Sequence, residues 1–167
     1  MNDKVVELSD APQSCVGVPA PVVIGDERTL LLAYEVEAEK PGWKAGHVLT
    51  DEDLASFAAH VAVVEFVGYR SYSFGAPNDE ALAGHPLYER GFRPYGAFEV
   101  EASSWITELE RRNSVHPRHR AERFKLLHHY IFTFHDSTFE CVAKGYRISE
   151  HRQPISELLP LMISRLS

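Results

Sequence analysis

Alternating apolar and polar positions recur along most of the chain, and this period of two is typical of β-strands with one buried face. Residues 22–24 and 29–38 are two such runs on either side of a short turn, which predicts a hairpin. Residues 59–74 form a longer run that exceeds one flat strand, and Gly68 is the natural place for a bend. Residues 95–102 predict a further strand. The pattern therefore favours a sheet-rich core.

A second hairpin is predicted at about residues 127–135 and 138–147, with Asp136 and Ser137 as a two-residue turn. In that register His135 lies opposite Thr138. One face of the hairpin then carries Tyr130, Phe132, Phe134, Phe139, Cys141 and Ala143. The other face carries His129, Ile131, Thr133, His135, Thr138, Glu140 and Val142. The first face is predicted to be core, and the second is amphipathic.

Helical periodicity is confined to two segments of the chain. Residues 103–112 follow a serine pair, so Ser103 or Ser104 is expected to cap a helix there. Residues 154–166 have leucines and a methionine at helical spacing, and Pro160 is expected either to kink that helix or to force it to start later. Together these elements predict an α+β fold, a mostly antiparallel β-sheet curved into a sandwich or half-barrel, with two or three flanking helices.

The positions of glycine and proline residues suggest where the segments of the chain begin and end. Residues 1–20 are weakly patterned and predict an irregular arm, and residues 21–167 predict a single globular domain. Residues 50–53 resemble a capping box and predict a brief helical turn. Residues 75–94 are rich in Gly and Pro and predict a long structured connection, with a short helix at residues 78–83. Long ordered loops of this kind are often functional.

Composition and charge narrow the classes of function. The 167-residue chain has a formal net charge of −7, which argues against general binding to nucleic acid or to an anionic membrane. The charge is uneven, because residues 111–129 contain six Arg or Lys and one acid, Glu122. Two cysteines, no signal-peptide pattern and no long apolar run predict a reduced cytoplasmic protein that does not span a membrane.

The amphipathic hairpin face offers the clearest candidate chemistry. His135 and Glu140 are predicted to lie diagonal to each other, and a carboxylate beside an imidazole can orient it as a general base. A small enzyme using these two residues is therefore one hypothesis. One alternative is an ordinary half-exposed sheet face with polar residues at every second position. Another is a different turn register, since a slip of one residue would move all of these side chains. The consecutive residues His135, Asp136 and Ser137 do not predict a catalytic triad, because neighbouring turn residues diverge.

The leading hypothesis is a binding protein without catalysis. Its site would lie between residues 74–91, the basic residues 111–125 and the polar hairpin face, and it would hold a small anionic ligand or an acidic protein partner. The candidate binding residues are His85, Tyr88, Arg111, Arg118, His129 and Thr133. We predict no cofactor and no dedicated metal site. A third hypothesis is an oligomeric regulatory subunit, such as a homodimer, that docks through the C-terminal helix.

Three segments are distinctive: FGAPNDEALAGHPLYERG at residues 74–91, SSWITELERRNSVHP at residues 103–117, and YIFTFHDSTFECVA at residues 130–143. Together they resemble segments found in a group of bacterial proteins that have no assigned function. The resemblance covers roughly residues 70–145 and implies a cytosolic bacterial protein. It implies no activity, but it suggests that the three segments form one unit.

Overall fold

The computed structural model describes residues 3–37 and 59–166, and within them the chain forms two antiparallel sheets, two α-helices and three short 3-10 turns. The strands are β1 (Lys4–Glu7), β2 (Val22–Gly25), β3 (Leu30–Glu35), β4 (Val61–Val67), β5 (Ser71–Gly75), β6 (Ala97–Glu101), β7 (His128–Thr133), β8 (Thr138–Ala143) and β9 (Gly145–His151). The helices are α1 (Ser104–Asn113) and α2 (Ile155–Ile163), and the 3-10 turns are Leu82–Gly84, Tyr88–Arg90 and Ala121–Arg123. The helical turn predicted at residues 50–53 lies outside the described residues.

The two sheets pack face to face as a sandwich, which confirms the predicted α+β fold. Sheet A has the strand order β1-β6-β7-β8-β5, and sheet B has the order β2-β3-β4-β9. Every strand pairing in them is antiparallel, and the sheets do not close into a barrel. The shared core is aromatic, and Phe66 of sheet B contacts the rings of Phe132 and Phe139 of sheet A at centroid distances of 6.0 and 5.2 Å.

Each sheet also has elements packed on its outer face, so residues 3–37 and 59–166 form four layers. Against sheet B, α2 buries Ile155, Leu158 and Met162 beside Leu31 and other apolar residues of β3 and β4. The apolar stripe of the C-terminal helix, through which a regulatory subunit would dock, is thus largely buried against sheet B of the same chain. Over sheet A lie α1 and the connection between β5 and β6, which buries Leu82, Leu87 and Phe92. Neither described helix is long and apolar enough to cross a membrane.

The β7–β8 hairpin differs from its predicted register by two residues. Thr133 pairs with Thr138, and the amide of Phe134 donates to the carbonyl oxygen of Ser137 at 2.8 Å. The two-residue turn is therefore His135 and Asp136, and the prediction of Asp136 and Ser137 was wrong. A shift by two keeps every side chain on its predicted face. The Phe-rich face is buried in the core as predicted.

The remaining elements differ from the predictions in detail. The long run at residues 59–74 does break at Gly68, whose φ of 60° lies in the left-handed region that favours glycine. There the chain leaves β4 in sheet B and enters β5 in sheet A. The chain returns beside it, where the amide of Lys144 donates to the carbonyl of Val67 at 2.9 Å. Residues 78–83 do not form the predicted helix, because the 3-10 turn begins only at Leu82. Within the predicted arm, β1 extends sheet A.

Candidate functional site

The polar groups of interest lie on the outer face of sheet A, under α1 and the β5–β6 connection. We name two groups of side chains there. The buried relay consists of His85, Glu140, His129 and Ser103, and the turn cluster consists of Asp79, Tyr95 and His135. The predicted amphipathic face is mostly covered, since Thr133, Thr138 and His129 are all buried. The alternative of a half-exposed sheet face is therefore wrong for these positions.

Glu140 is the centre of the buried relay. It lies on β8 opposite Ile131, and its side chain is 22% exposed. One carboxylate oxygen, Oε2, accepts from Nε2 of His129 at 2.9 Å, and Oε1 lies 3.4 Å from Nε2 of His85. The strand alternation turns Glu140 outward, and the β5–β6 connection brings His85 over it. The prediction that His85, His129 and Glu140 belong to one site is consistent with this geometry.

Both imidazoles hold their protons toward Glu140. Nδ1 of His85 accepts from the backbone amide of Leu87 at 3.2 Å, so a neutral His85 carries its proton on Nε2. Nδ1 of His129 lies 3.0 Å from the Ser103 hydroxyl, which can donate to it. Burial alone would raise the pKa of Glu140, but the hydrogen bonds from His129 and His85 outweigh it and lower the pKa to about 2. Glu140 is therefore a stable, partly buried anion.

Ser103 ends the relay at the start of α1. It is the helix N-cap, and its hydroxyl oxygen accepts from the amide of Ile106 at 3.3 Å. The preceding residue, Ala102, has a φ of 53°, which produces the sharp turn from β6 into the helix. The ring of Trp105 contacts His129 edge to face at 5.0 Å. The cap predicted from sequence is thus also the partner of a buried histidine.

The turn cluster lies at the other end of the hairpin. Oδ2 of Asp79 accepts from the Tyr95 hydroxyl at 2.5 Å and from Nδ1 of His135 at 2.9 Å. The Asp79 hydrogen bond raises the pKa of His135, and hydrogen bonds from Tyr95 and then His135 lower the pKa of Asp79. Oδ1 of Asp79 is buried and has no hydrogen-bond partner among the described residues. Tyr95 has a φ of 57°, so its ring is held by a strained backbone.

The predicted pair of His135 and Glu140 does not form. His135 lies in the turn itself and bonds to Asp79 and Tyr95, whereas Glu140 bonds to His129 and His85. Within residues 3–37 and 59–166 no hydrogen bond or ion pair joins His135 to Glu140. The expected diagonal contact depended on the wrong turn register, which is the physical reason for the difference.

A cavity of about 910 Å³ lies between α1, the end of β6 and residues 121–128. We call it the helix cavity. Its lining includes Ser103 and the apolar residues Val100, Ile106, Phe124 and Leu127. A second cavity of about 660 Å³ is lined by residues 76–86, including His85, and by Asp136. The buried relay therefore connects residues of two separate cavities.

The charges around the helix cavity are mainly negative. Three lining carboxylates, Glu99, Glu101 and Glu110, face one lining ammonium group, Lys125. Lys4 pairs with Glu101 at 2.7 Å. The other two carboxylates pair with imidazoles, Glu99 with His128 at 2.7 Å and Glu110 with His119 at 2.6 Å. Carboxylates in the described lining of the cavity therefore outnumber Lys and Arg side chains by three to one.

Tyr88 and Thr133, two predicted binding residues, have structural contacts instead. Tyr88 packs against the apolar cluster over sheet A, with the guanidinium of Arg93 5.2 Å from its ring centroid. The Thr133 hydroxyl donates to the carbonyl of Arg93 at 2.9 Å and accepts from the amide of Gly96 at 2.8 Å. Thr133 therefore ties the end of the β5–β6 connection to β7.

Arg111 and Arg118, the predicted anion ligands, both lie on exposed surface. Arg111 bonds to Glu108 with Nε and Nη2, each at 2.7 Å, and Arg112 shares the same carboxylate. These bonds lower the pKa of Glu108 to about 2. The structure does not bring the two predicted arginines to the relay.

Sequence reasoning missed three residues of these groups. Asp79 lies in a connection without periodicity, and Tyr95 lies at the start of a predicted strand that begins only at Ala97 in the structure. No sequence signal joins either residue to His135. Ser103 gave a capping signal only, because its contact with His129 spans 26 residues of chain. The described residues contain no group of three or more His, Cys, Asp or Glu side chains that could hold a metal ion. Comparison with protein-family models, curated proteins and solved structures finds no match.

Proposed function

We propose that the chain binds a small amphipathic molecule that carries a positive charge, and that the helix cavity is the binding site. The observation that carries the proposal is a cavity of about 910 Å³ whose apolar lining is accompanied by three carboxylates. Small-molecule sites are typically about 300–1,000 Å³ and combine an apolar lining with a few polar groups. The cavity has the size and the composition of such a site.

The charge of the ligand is inferred from two lining carboxylates, Glu99 and Glu110, that have no Lys or Arg partner among the described residues. The side chains of Glu99 and Glu110 are 29% and 31% exposed, so they lie partly out of bulk water. Their partners are His128 and His119. A ligand ammonium group can pair with a carboxylate in such a setting more strongly than it can in bulk water.

An anionic ligand, which the basic segment predicted, has less support at this cavity. Arg111 is bonded to Glu108 on the exposed side of α1, and Lys125 is bonded to Glu122 at 3.0 Å. An anion in the cavity would also face the carboxylates of Glu99 and Glu110. The electrostatic balance of the lining therefore favours a cation.

Three probes of similar size and different charge test the proposal: benzylammonium, benzyl alcohol and benzoate. Amide chemical-shift titration should show the largest changes in α1 and the end of β6. Benzylammonium should bind about five-fold more tightly than benzyl alcohol, since a partly exposed ion pair contributes up to about 1 kcal/mol. Benzoate should bind most weakly.

A matched pair of variants separates the site from general surface charge. Glu99→Gln should reduce the preference for benzylammonium. Glu150→Gln is the control, because Glu150 also pairs with a histidine, His60 at 2.5 Å, but lies on sheet B. Tighter binding of benzoate than of benzylammonium would contradict the proposal, and so would shift changes confined to residues outside the cavity.

A further inference from the structure

We propose that Ser103 is a nucleophile for acyl transfer, with His129 as its general base and Glu140 as the carboxylate that orients the base. The substrate would be an ester with a small acyl group that enters the helix cavity. This inference rests on the proposed function in one respect, because the same cavity must admit the ester. It goes beyond binding, since it assigns a covalent step to a residue at the cavity wall.

The arrangement has the order of contacts that acyl transfer requires. The Ser103 hydroxyl oxygen lies 3.0 Å from Nδ1 of His129, and Nε2 of His129 lies 2.9 Å from Oε2 of Glu140. The three residues come from the β6–α1 turn, β7 and β8, so they converge from separate segments. A nucleophile bonded to a base that a third group orients is recognised by this geometry and by no fixed sequence spacing.

The base is held in one orientation by contacts on several sides. Glu140 stays ionised and accepts the Nε2 proton, which leaves Nδ1 of His129 free to receive the proton of Ser103. His85 steadies Glu140 from the other side, at 3.4 Å. The Trp105 ring covers His129 at an interplanar angle of 78°. His129 is 3% exposed, so water competes little for its ring nitrogens.

The position of Ser103 at the start of α1 supports the same role. A helix N-terminus carries positive partial charge, which stabilises the negative oxygen that forms when a hydroxyl attacks a carbonyl. Ser103 lines the helix cavity but is only 4% exposed. An acetyl group is therefore a better fit than a long or branched acyl group.

The reaction balances with water as the only co-reactant. The Ser103 oxygen attacks the ester carbonyl carbon while its proton passes to Nδ1 of His129. The carbon–oxygen bond to the leaving alcohol then breaks, and His129 returns the proton to that alcohol. Water then attacks the acyl carbon of acetyl–Ser103 and gives one proton to His129. The bond between the acyl carbon and the Ser103 oxygen breaks, and His129 returns the proton to that oxygen. Acetic acid leaves and loses its own proton to solvent as acetate.

The test uses phenyl acetate and its meta-trimethylammonio derivative, which differ in charge. Phenol release is followed by absorbance. The original chain, without substitutions, is quenched in acid after the reaction, and peptide mass mapping then locates the acetylated residue. We expect the acetyl group on Ser103. Ser103→Ala and Glu140→Gln should lower the rate by about 100-fold or more. Ser114→Ala, at the far exposed end of α1, should react as the original chain does.

The outcomes separate the two proposals. Acetyl groups found only on residues other than Ser103 would overturn the nucleophile, and this result does not depend on how any variant folds. Hydrolysis by a folded Ser103→Ala at the original rate would overturn it too. Equal acetylation of Ser103 by both esters would support the nucleophile and contradict the preference for cations. Benzylammonium binding without acetylation by either ester would support the proposed function alone.

Discussion

Replacing Glu140 with glutamine tests the electrostatics of the buried relay directly. The pKa of Glu140 falls from its ordinary 4.5 to about 2 in the folded protein. A lowering of that size corresponds to about 3 kcal/mol of stabilisation by the ionised form. Glutamine keeps the shape and can still bond to both imidazoles if one of them changes tautomer. The variant therefore exchanges charged hydrogen bonds for neutral ones and should lose about 2 kcal/mol at neutral pH.

The effect of pH has a definite sign. A carboxyl group whose pKa is lowered on folding contributes stability that is fully present above its unfolded pKa and is lost as the pH falls through its folded pKa. For Glu140 that window lies between about pH 4.5 and about pH 2. The free-energy gap between the original chain and Glu140→Gln should therefore close across this window. Urea unfolding followed by circular dichroism, at neutral pH and at several acid values, measures the gap.

A matched control separates burial from charge. Glu150→Gln removes a carboxylate that also pairs with a histidine but is 52% exposed, so its cost should stay below about 1 kcal/mol at neutral pH. A Glu140→Gln variant as stable as the original chain at neutral pH would show that the ionised carboxylate does not stabilise the fold. A free-energy gap that stays constant down to about pH 2 would show that the gap does not come from the charge of Glu140.

Three further predictions concern residues on the outer side of sheet A. Thr133→Val should lower the free energy of unfolding by about 1 kcal/mol, because the partly buried amide of Gly96 loses its acceptor; chemical unfolding measures this. Asp79→Asn should lower the pKa of His135, as measured by NMR titration, and remove stability that is present in acid and lost as the pH rises through the folded pKa of His135. Ala102→Gly should raise the unfolding free energy by up to about 1 kcal/mol, because glycine adopts the φ of 53° without strain.

Each of these has a control and a contrary outcome. Thr29→Val, whose hydroxyl makes only a 3.4 Å bond at the surface, should cost less than about 0.5 kcal/mol. Asp136→Asn should change the pKa of His135 less than Asp79→Asn, and the reverse order would argue against the turn cluster. Ala143→Gly, within β8, should destabilise the protein. A loss of stability in Ala102→Gly would show that its backbone is not strained.

The period-two pattern was enough to predict the antiparallel sheets, but it did not predict where individual strands end and turns begin. It identified the fold class and the side chains that share each face of the β7–β8 hairpin, because both depend on which side chains are apolar. The break at Gly68 was predicted from the glycine and from the length of the run at residues 59–74. The pattern did not identify the turn, since Asp136 and Ser137 suit a turn as well as His135 and Asp136 do. The choice between them depends on tertiary contacts, such as the donation of the Asp79 amide to the carbonyl of His135 at 2.9 Å.

The candidate site was harder to predict because its contacts are distant in sequence. His129 and Glu140 share a predicted face, so their proximity follows from the hairpin. Asp79 meets His135 across 56 residues of chain, and His85 meets Glu140 across 55. These contacts depend on the path of the β5–β6 connection, which has no periodicity. A single sequence offers no physical signal for that path.

The corner at Gly68 has a consequence for how the protein unfolds. Two chain segments cross between the sheets side by side there, one leaving β4 at Val67 and one leaving β8 at Lys144, and a backbone hydrogen bond joins them. Separation of β4 or β8 from its sheet would disrupt the hydrogen bond between these two crossing segments. We therefore expect the sandwich to unfold as one cooperative unit, with matching transitions when each sheet is probed separately. In native-state hydrogen exchange, the β5–β6 connection should open at lower free energy than either sheet.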